Sequence, residues 1–207
     1  MPALQTVGNQ RTVVDIGANR GQFALVARQA YPEAQILSFE PLPGPAARFR
    51  AMFVADVRVN LHEAAVGPVS GSTTIHISRR DDSSSLLPIT ARQVDHFRGT
   101  AEVGTTAVKV GPLQEFVNEA QIEASAILKL DVQGFELQAL KGCESLVRCF
   151  AHVYVECSFI ELYAGQALAD EVIAWLRERG LKLRGMYNPS NDREGRVVQA
   201  DFLFSRG

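Results

Sequence analysis

Short, apolar, β-branched runs alternate with stretches of helical spacing, and this alternation constrains the fold more than any other feature of the chain. TVVDI (Thr12–Ile16) reads as a buried strand ended by glycine, and GQFALVARQAY then spaces Phe23, Val26, Ala27 and Ala30 as a helix stopping at Pro32. Ala34–Glu40 is the next strand. The prolines of PLPGP are expected to forbid regular structure until about Ala46, where AARFRAMF turns helical. VRVNLHEAAV supplies a third strand and GSTTIHIS a fourth. TTAVKVGPL is read as a strand antiparallel to the fourth, and PLQEFVNEA as a short helix. AILKLDV is the clearest buried strand, followed by a helix over GFELQALKGCESLV, a strand at HVYVECS and an amphipathic helix ending at Gly180.

Alternation of this kind implies right-handed βαβ units, hence a mostly parallel sheet covered on both faces. The last two strands, LKLRGMY and VVQADFLFS, are joined by NPSNDREG, too short for a crossover helix, so they are expected to pair as an antiparallel hairpin. The 207 residues read as one domain (1–207), with 70–111 as a less regular insert suited to substrate recognition.

A formal charge of −2 argues against nucleic-acid binding through a general basic surface. No run approaches the roughly 18 apolar residues of a membrane span. MPALQTVGNQR has no long apolar stretch of the secretory kind, and Cys143, Cys149 and Cys157 match no zinc spacing. A cytoplasmic location with reduced thiols is the expectation. Cys157 is read as a strand residue.

In open α/β sheets ligands bind at the carboxyl ends of strands. There the first strand runs into Asp15-Ile-Gly17-Ala18-Asn19-Arg-Gly21. The spacing matches neither G-x-G-x-x-G nor the Gly-Lys-Ser/Thr phosphate loop, so the familiar phosphate motifs are excluded. Gly17 permits a sharp turn, and Asp15 can accept hydrogen bonds from a cationic ligand group or from loop amides. Glu40 closes the second strand about 20 residues later, where Rossmann-like folds place a carboxylate on ribose hydroxyls. Pro41 and Leu42 then offer apolar area for a base. A nucleoside site is favoured over an empty turn.

LKLDVQGFELQALKG puts Asp131 at the tip of the expected central strand and Glu136 in the first turn of the next helix. Glu136 there also suits the helix dipole and Asp131 an N-cap. Glu156, in VYVECS, adds a further acid whose face the pattern leaves open. His76 and His152 read as structural, and His62 has a weaker claim to a site. The loop RRDDSSSLL reads as solvated, with Arg79 and Arg80 compensated by Asp81 and Asp82.

VVDIGANRGQFA, SFEPLP, EAAVG, SSSL, LKLDVQGFELQALKG, VYVE and QADFLF resemble, in that order, the FkbM-type methyltransferases from about Thr12 to Phe204. The run from Lys129 to Gly142 is the most specific part. The family commonly has glutamate where this chain has Gln133. The resemblance implies an α/β, class I (Rossmann-like) S-adenosylmethionine-dependent fold, a three-layer sandwich around a seven-stranded sheet whose last strand is antiparallel. It implies O-methylation of a hydroxyl on a sugar, glycolipid or polyketide-type product. Gly17, Asn19 and Gly21 would line the methionine part, Glu40 would hold the ribose and Leu42 would lie against the adenine. Asp131 and Glu136 are the expected groups for holding or deprotonating the acceptor, with Glu156 in support. Magnesium bridging these acids is the alternative, since hard cations prefer carboxylate oxygens. The competing classes are a nicotinamide oxidoreductase, weakened by the missing glycine motif, and a non-catalytic nucleoside-binding domain.

Overall fold

The structure, a computed structural model, describes residues 2–207. In chain order its elements are α1 (Pro2–Gln5), β1 (Thr12–Ile16), α2 (Gln22–Ala30), β2 (Gln35–Phe39), α3 (Pro43–Met52), β3 (Val59–His62), β4 (Ala65–Val66), β5 (Gly71–Ser78), α4 (Ala91–His96), β6 (Glu102–Gly111), β7 (Ala126–Leu130), α5 (Glu136–Gly142), β8 (Phe150–Ser158), α6 (Ala169–Glu178), β9 (Leu181–Asn191) and β10 (Val197–Arg206). Seven strands form one sheet in the order β3-β2-β1-β7-β8-β10-β9. β1, β2, β3, β7 and β8 pair in parallel, and β10 runs antiparallel to both β8 and β9, which bears out the terminal hairpin.

The sheet is buried on both faces because its central strands are apolar at every second position and at the positions between. Val14, Ile16, Leu128, Leu130, Val153 and Val155 pack with Ala139 and Leu140 of α5 and with Val172, Trp175 and Leu176 of α6. Val13, Ile36, Ile127 and Tyr154 point the other way, onto Phe23, Ala24 and Ala27 of α2 and Phe49 of α3. Each face therefore removes a nearly continuous apolar surface from water, and the result is the expected three layers. Among the described residues no helix is long and apolar enough to cross a membrane.

Several local expectations are corrected. α3 starts at Pro43 rather than near Ala46. Pro43 and Pro45 lie in its first turn, where a missing N–H removes no intrahelical bond, so the prolines open the helix instead of delaying it. The third strand splits at the bend between His62 and Ala65. β3 completes the large sheet, whereas β4 joins β5 and β6 in a separate three-stranded sheet ordered β4-β6-β5. β5 and β6 are antiparallel as read. The helix expected over Pro112–Ala120 is reduced to 3-10 turns at Leu113–Glu115 and Glu119–Gln121. α5 ends at Gly142 instead of continuing to Val147. A Cβ at Gly142 would meet the Gly67 backbone at 2.7 Å, so the helix end lies directly on the strap between β4 and β5.

Candidate functional site

The chain steps from β1 outward to β2 and β3, then returns to place β7 on the other side of β1. At this change of direction the carboxyl ends of β1 and β7 part, and loops from both leave a crevice. A cavity of about 350 Å³ occupies it. Gly17 shapes its floor, at φ +81, where a Cβ would stand 1.8 Å from the Asp131 carbonyl oxygen. No side chain fits between the two loops there. The Gly17 and Ala18 amides donate to the Phe39 carbonyl at 3.0 and 2.9 Å, which fixes the turn against the end of β2.

Glu40 is buried at that junction, and both of its oxygens are held by backbone. Oε2 accepts from the Asn19 amide at 2.9 Å and Oε1 from the Leu42 amide at 2.8 Å. Burial raises its pKa to about 7, against the lowering effect of those two amides. Leu42, Ala65, Val66, Ile75 and Leu86 give the adjoining wall an apolar surface. Ile75 and Leu86 come from the small sheet and its serine loop, and Leu42 packs with Ile75 and Val108.

The opposite end of the cavity carries acids. Asp131, Glu156 and Asp201 line it, together with Gln133 and Tyr154. Gln133 Nε2 donates to Asp131 Oδ1 at 2.7 Å and to Glu156 Oε2 at 2.9 Å. The Tyr163 hydroxyl donates to Gln133 Oε1 at 2.7 Å. Asp201 lies across from Glu156 in the β8–β10 ladder, and its Oδ2 accepts from the Tyr154 hydroxyl at 2.8 Å and from Asn188 Nδ2 at 2.6 Å. Burial first, and then Asp131, Glu136 and Asp201, push the Glu156 carboxyl well above the usual range. Lys129 is the counter-charge beneath. Its Nζ donates to the Gly17 carbonyl at 3.1 Å and lies 3.3 Å from Asp15 Oδ1 and 3.7 Å from Asp131 Oδ2. Burial opposes its charge, but Asp15 and Asp131 outweigh that and hold the ammonium above the ordinary lysine value.

Of the residues singled out from sequence, Gly17, Ala18, Asn19, Glu40, Pro41, Leu42, Asp131 and Glu156 all line the cavity. Asp15, Gly21 and Glu136 do not. Asp15 is fully buried beneath the turn, with neither oxygen hydrogen-bonded among the described residues and the Lys129 ammonium beside it. Burial raises its pKa. Gly21 caps α2 at φ +95, and a Cβ there would meet Phe53 at 2.8 Å and Phe49 at 3.0 Å, so its work is packing. Glu136 turns its Oε1 back to accept from the Val132 and Gly134 amides at 3.0 and 3.1 Å, bracing the loop that carries Gln133. Burial lifts its pKa to about 7.

The serine loop is not the solvated segment expected. Ser83 and Ser85 are buried, Ser85 Oγ donates to the Gln133 carbonyl at 2.6 Å, and the Tyr163 hydroxyl also reaches the Ser83 carbonyl at 3.1 Å. Asp81 pairs with Arg20 at 2.6 Å and Arg48 at 3.5 Å, while Arg80 pairs with Asp82 as expected. The loop is thus tied across the cavity. His76 and His152 are structural, bonded to Glu102 and Ser205, and His62 is stacked on Phe39. Lys129, Tyr154, Tyr163 and Asp201 were missed from sequence. Lys129 and Asp201 had a signal, since each is a charge inside an otherwise apolar strand, which persists only if paired or functional. Tyr163, in a loop, had none.

The Methyltransferase FkbM domain model matches residues 15–183. The 2-O-methyltransferase NoeI of Sinorhizobium fredii is 30% identical over 160 residues, covering 74% of this chain and 66% of NoeI. The 31-O-demethyl-FK506 methyltransferase FkbM of Streptomyces tacrolimicus is 26% identical over 201 residues, covering 86% of this chain and 75% of that protein. The crystal structure of a Methyltransferase FkbM from Methylobacillus flagellatus superposes with a TM-score of 0.59 at 14% identity, over 94% of this chain and 43% of that one. At that identity the likeness is one of fold. The chain therefore spans just under two thirds of NoeI and less than half of the superposed structure.

Proposed function

Since the chain belongs to the FkbM methyltransferase domain family, we propose that it transfers a methyl group from S-adenosylmethionine to a hydroxyl of a sugar, glycolipid or polyketide-type acceptor. The observation that carries this reading is the Glu40 carboxylate, held by two backbone amides at the strand switch beside a turn too tight for any Cβ. Each Glu40 oxygen keeps a lone pair for a ribose hydroxyl. Leu42, Val66, Ile75 and Leu86 suit an adenine ring, and the Gly17–Asn19 turn suits the methionine end. The relatives NoeI, a 2-O-methyltransferase, and the Streptomyces tacrolimicus 31-O-demethyl-FK506 methyltransferase are both named for an oxygen as the methylated atom, which supports a hydroxyl acceptor.

When bound, the cofactor supplies a methyl group on a sulfonium, which is already a good leaving group. The protein has to align the acceptor and take its proton. Asp131 Oδ2, which no hydrogen bond occupies among the described residues and which lies 3.7 Å from Lys129 Nζ, receives the hydroxyl proton. Glu156, whose carboxyl is pushed well above the usual range by burial and its acidic neighbours, helps orient the acceptor. Glu136 acts through the loop it braces. The serine loop keeps water from the cleft, and the 70–111 segment, as part of the same catalytic unit, presents the acceptor.

The test is mass spectrometry of neutral glycosides, glycolipids and polyketide alcohols incubated with the protein and S-adenosylmethionine. A product heavier by one methylene, with the new group on oxygen, is expected. Transfer confined to amine or ring-nitrogen acceptors would overturn the assignment.

A further inference from the structure

The acids lining the deep end of the cavity raise the question of what holds them together. Asp131, just past the end of β7, and Glu156, in β8, each direct a carboxyl oxygen at the same point, so a cation or a hydrogen-bond donor has to stand between them. A divalent cation is one answer, and hard cations require oxygen lone pairs aimed inward from several ligands. The side chains present do not offer that arrangement. Between the two carboxylates stands the Gln133 amide nitrogen, which spends one N–H on Asp131 Oδ1 and the other on Glu156 Oε2. Its oxygen, the atom a cation would need, is turned away to the Tyr163 hydroxyl.

That orientation is fixed from outside. A flipped amide would set its oxygen against Asp131 Oδ1 and Glu156 Oε2 and leave both without the N–H each now receives. The backbone reinforces the placement. Gln133 sits at φ +54, its carbonyl accepts from Ser85 Oγ at 2.6 Å, and Glu136 holds the amides of Val132 and Gly134 on either side. Tyr163 is itself fully buried, with its backbone amide held by Gln166 Oε1 at 2.7 Å. Among the described residues no three acidic, histidine or cysteine side chains converge as ligands for a metal ion.

We propose that the Gln133 side-chain amide takes the place of a bridging cation, making it the positioning residue that sets Asp131 and Glu156 toward the acceptor and makes a divalent metal unnecessary. Magnesium does not fit this donor set. The inference rests on the methyl-transfer reading for the identity of the acceptor, while the arrangement of amide and acids is independent of it.

The two ideas separate in one experiment. Mn²⁺ is titrated, with its electron paramagnetic resonance signal as the readout, into wild type and Gln133→Glu, each first saturated with S-adenosylhomocysteine. Binding of S-adenosylhomocysteine reports on the methyl-transfer reading and shows that the variant's cleft is formed. The wild type is expected to leave Mn²⁺ free. Gln133→Glu replaces the bridging donor with a third carboxylate, so it should bind one Mn²⁺ roughly tenfold or more tightly than wild type, because affinity follows ligand charge. Adding Asp131→Asn to that variant should abolish the new site. One Mn²⁺ bound by the wild type and lost in Asp131→Asn would overturn the proposal. So would a Gln133→Glu protein that binds S-adenosylhomocysteine and no Mn²⁺.

Discussion

The two ends of the cavity are built from different materials. The end at β1 and β2 is made of backbone: a turn at Gly17, the Asn19 and Leu42 amides, and one carboxylate that those amides hold. The end at β7, β8 and β10 is made of side chains that meet from distant parts of the chain, with Gln133 bonded to Glu156 and Tyr163, and Asp201 bonded to Tyr154 beside them. Backbone presents the same groups whatever the side chains, so the first end suits a constant ligand. The second can be rebuilt by single substitutions, which suits an acceptor that varies among relatives.

The sharpest way to break this contrast is Gly17→Ala. The added methyl meets the Asp131 carbonyl at a residue already at positive φ, so stability should fall by about 3 kcal/mol and S-adenosylhomocysteine binding should vanish. Gln133→Ala, at the other end, should leave that binding intact. Calorimetry on both variants checks the pair, and equal loss in both would erase the distinction between the ends.

Glu136→Gln comes next. The Glu136 pKa is raised from the ordinary 4.5 to about 7, so its contribution to stability is fully present below the lower value and lost as pH rises through the higher one. Over that window the loss is worth about 3 kcal/mol. Glutamine keeps the oxygen that both loop amides use and removes the titration. Thermal melts across pH should therefore show a flatter slope and a higher Tm on the alkaline side than in wild type. An unchanged slope would show that Glu136 carries no such penalty.

Glu40→Gln probes the backbone end more gently. Two ribose hydroxyls would lose a charged acceptor, and S-adenosylhomocysteine affinity should drop roughly 10- to 100-fold. In wild type the affinity should rise as pH passes through about 7, because the hydroxyls need the ionised carboxylate. The variant should show no such rise.

The same contrast decides what was legible in the sequence. Thr12–Ile16, its glycine turn and Glu40 lie close together in the chain, and their spacing alone favoured a nucleoside over an empty turn at what the structure shows to be one cavity. The sheet was legible because its buried strands are apolar on both faces. What escaped was non-local. No pattern near Ser83 says that Tyr163 will reach its carbonyl, and no periodicity shows that VRVNLHEAAV will divide between two sheets at a bend. Pro43 misled because the rule that proline breaks helices reverses in a first turn.

The most direct measurement is calorimetric titration of the wild-type protein with S-adenosylhomocysteine and, separately, with NAD. The cradle at Gly17, Asn19 and Glu40 predicts one-to-one binding of S-adenosylhomocysteine and no heat with NAD. Tight NAD binding with no response to S-adenosylhomocysteine would contradict the account at its centre.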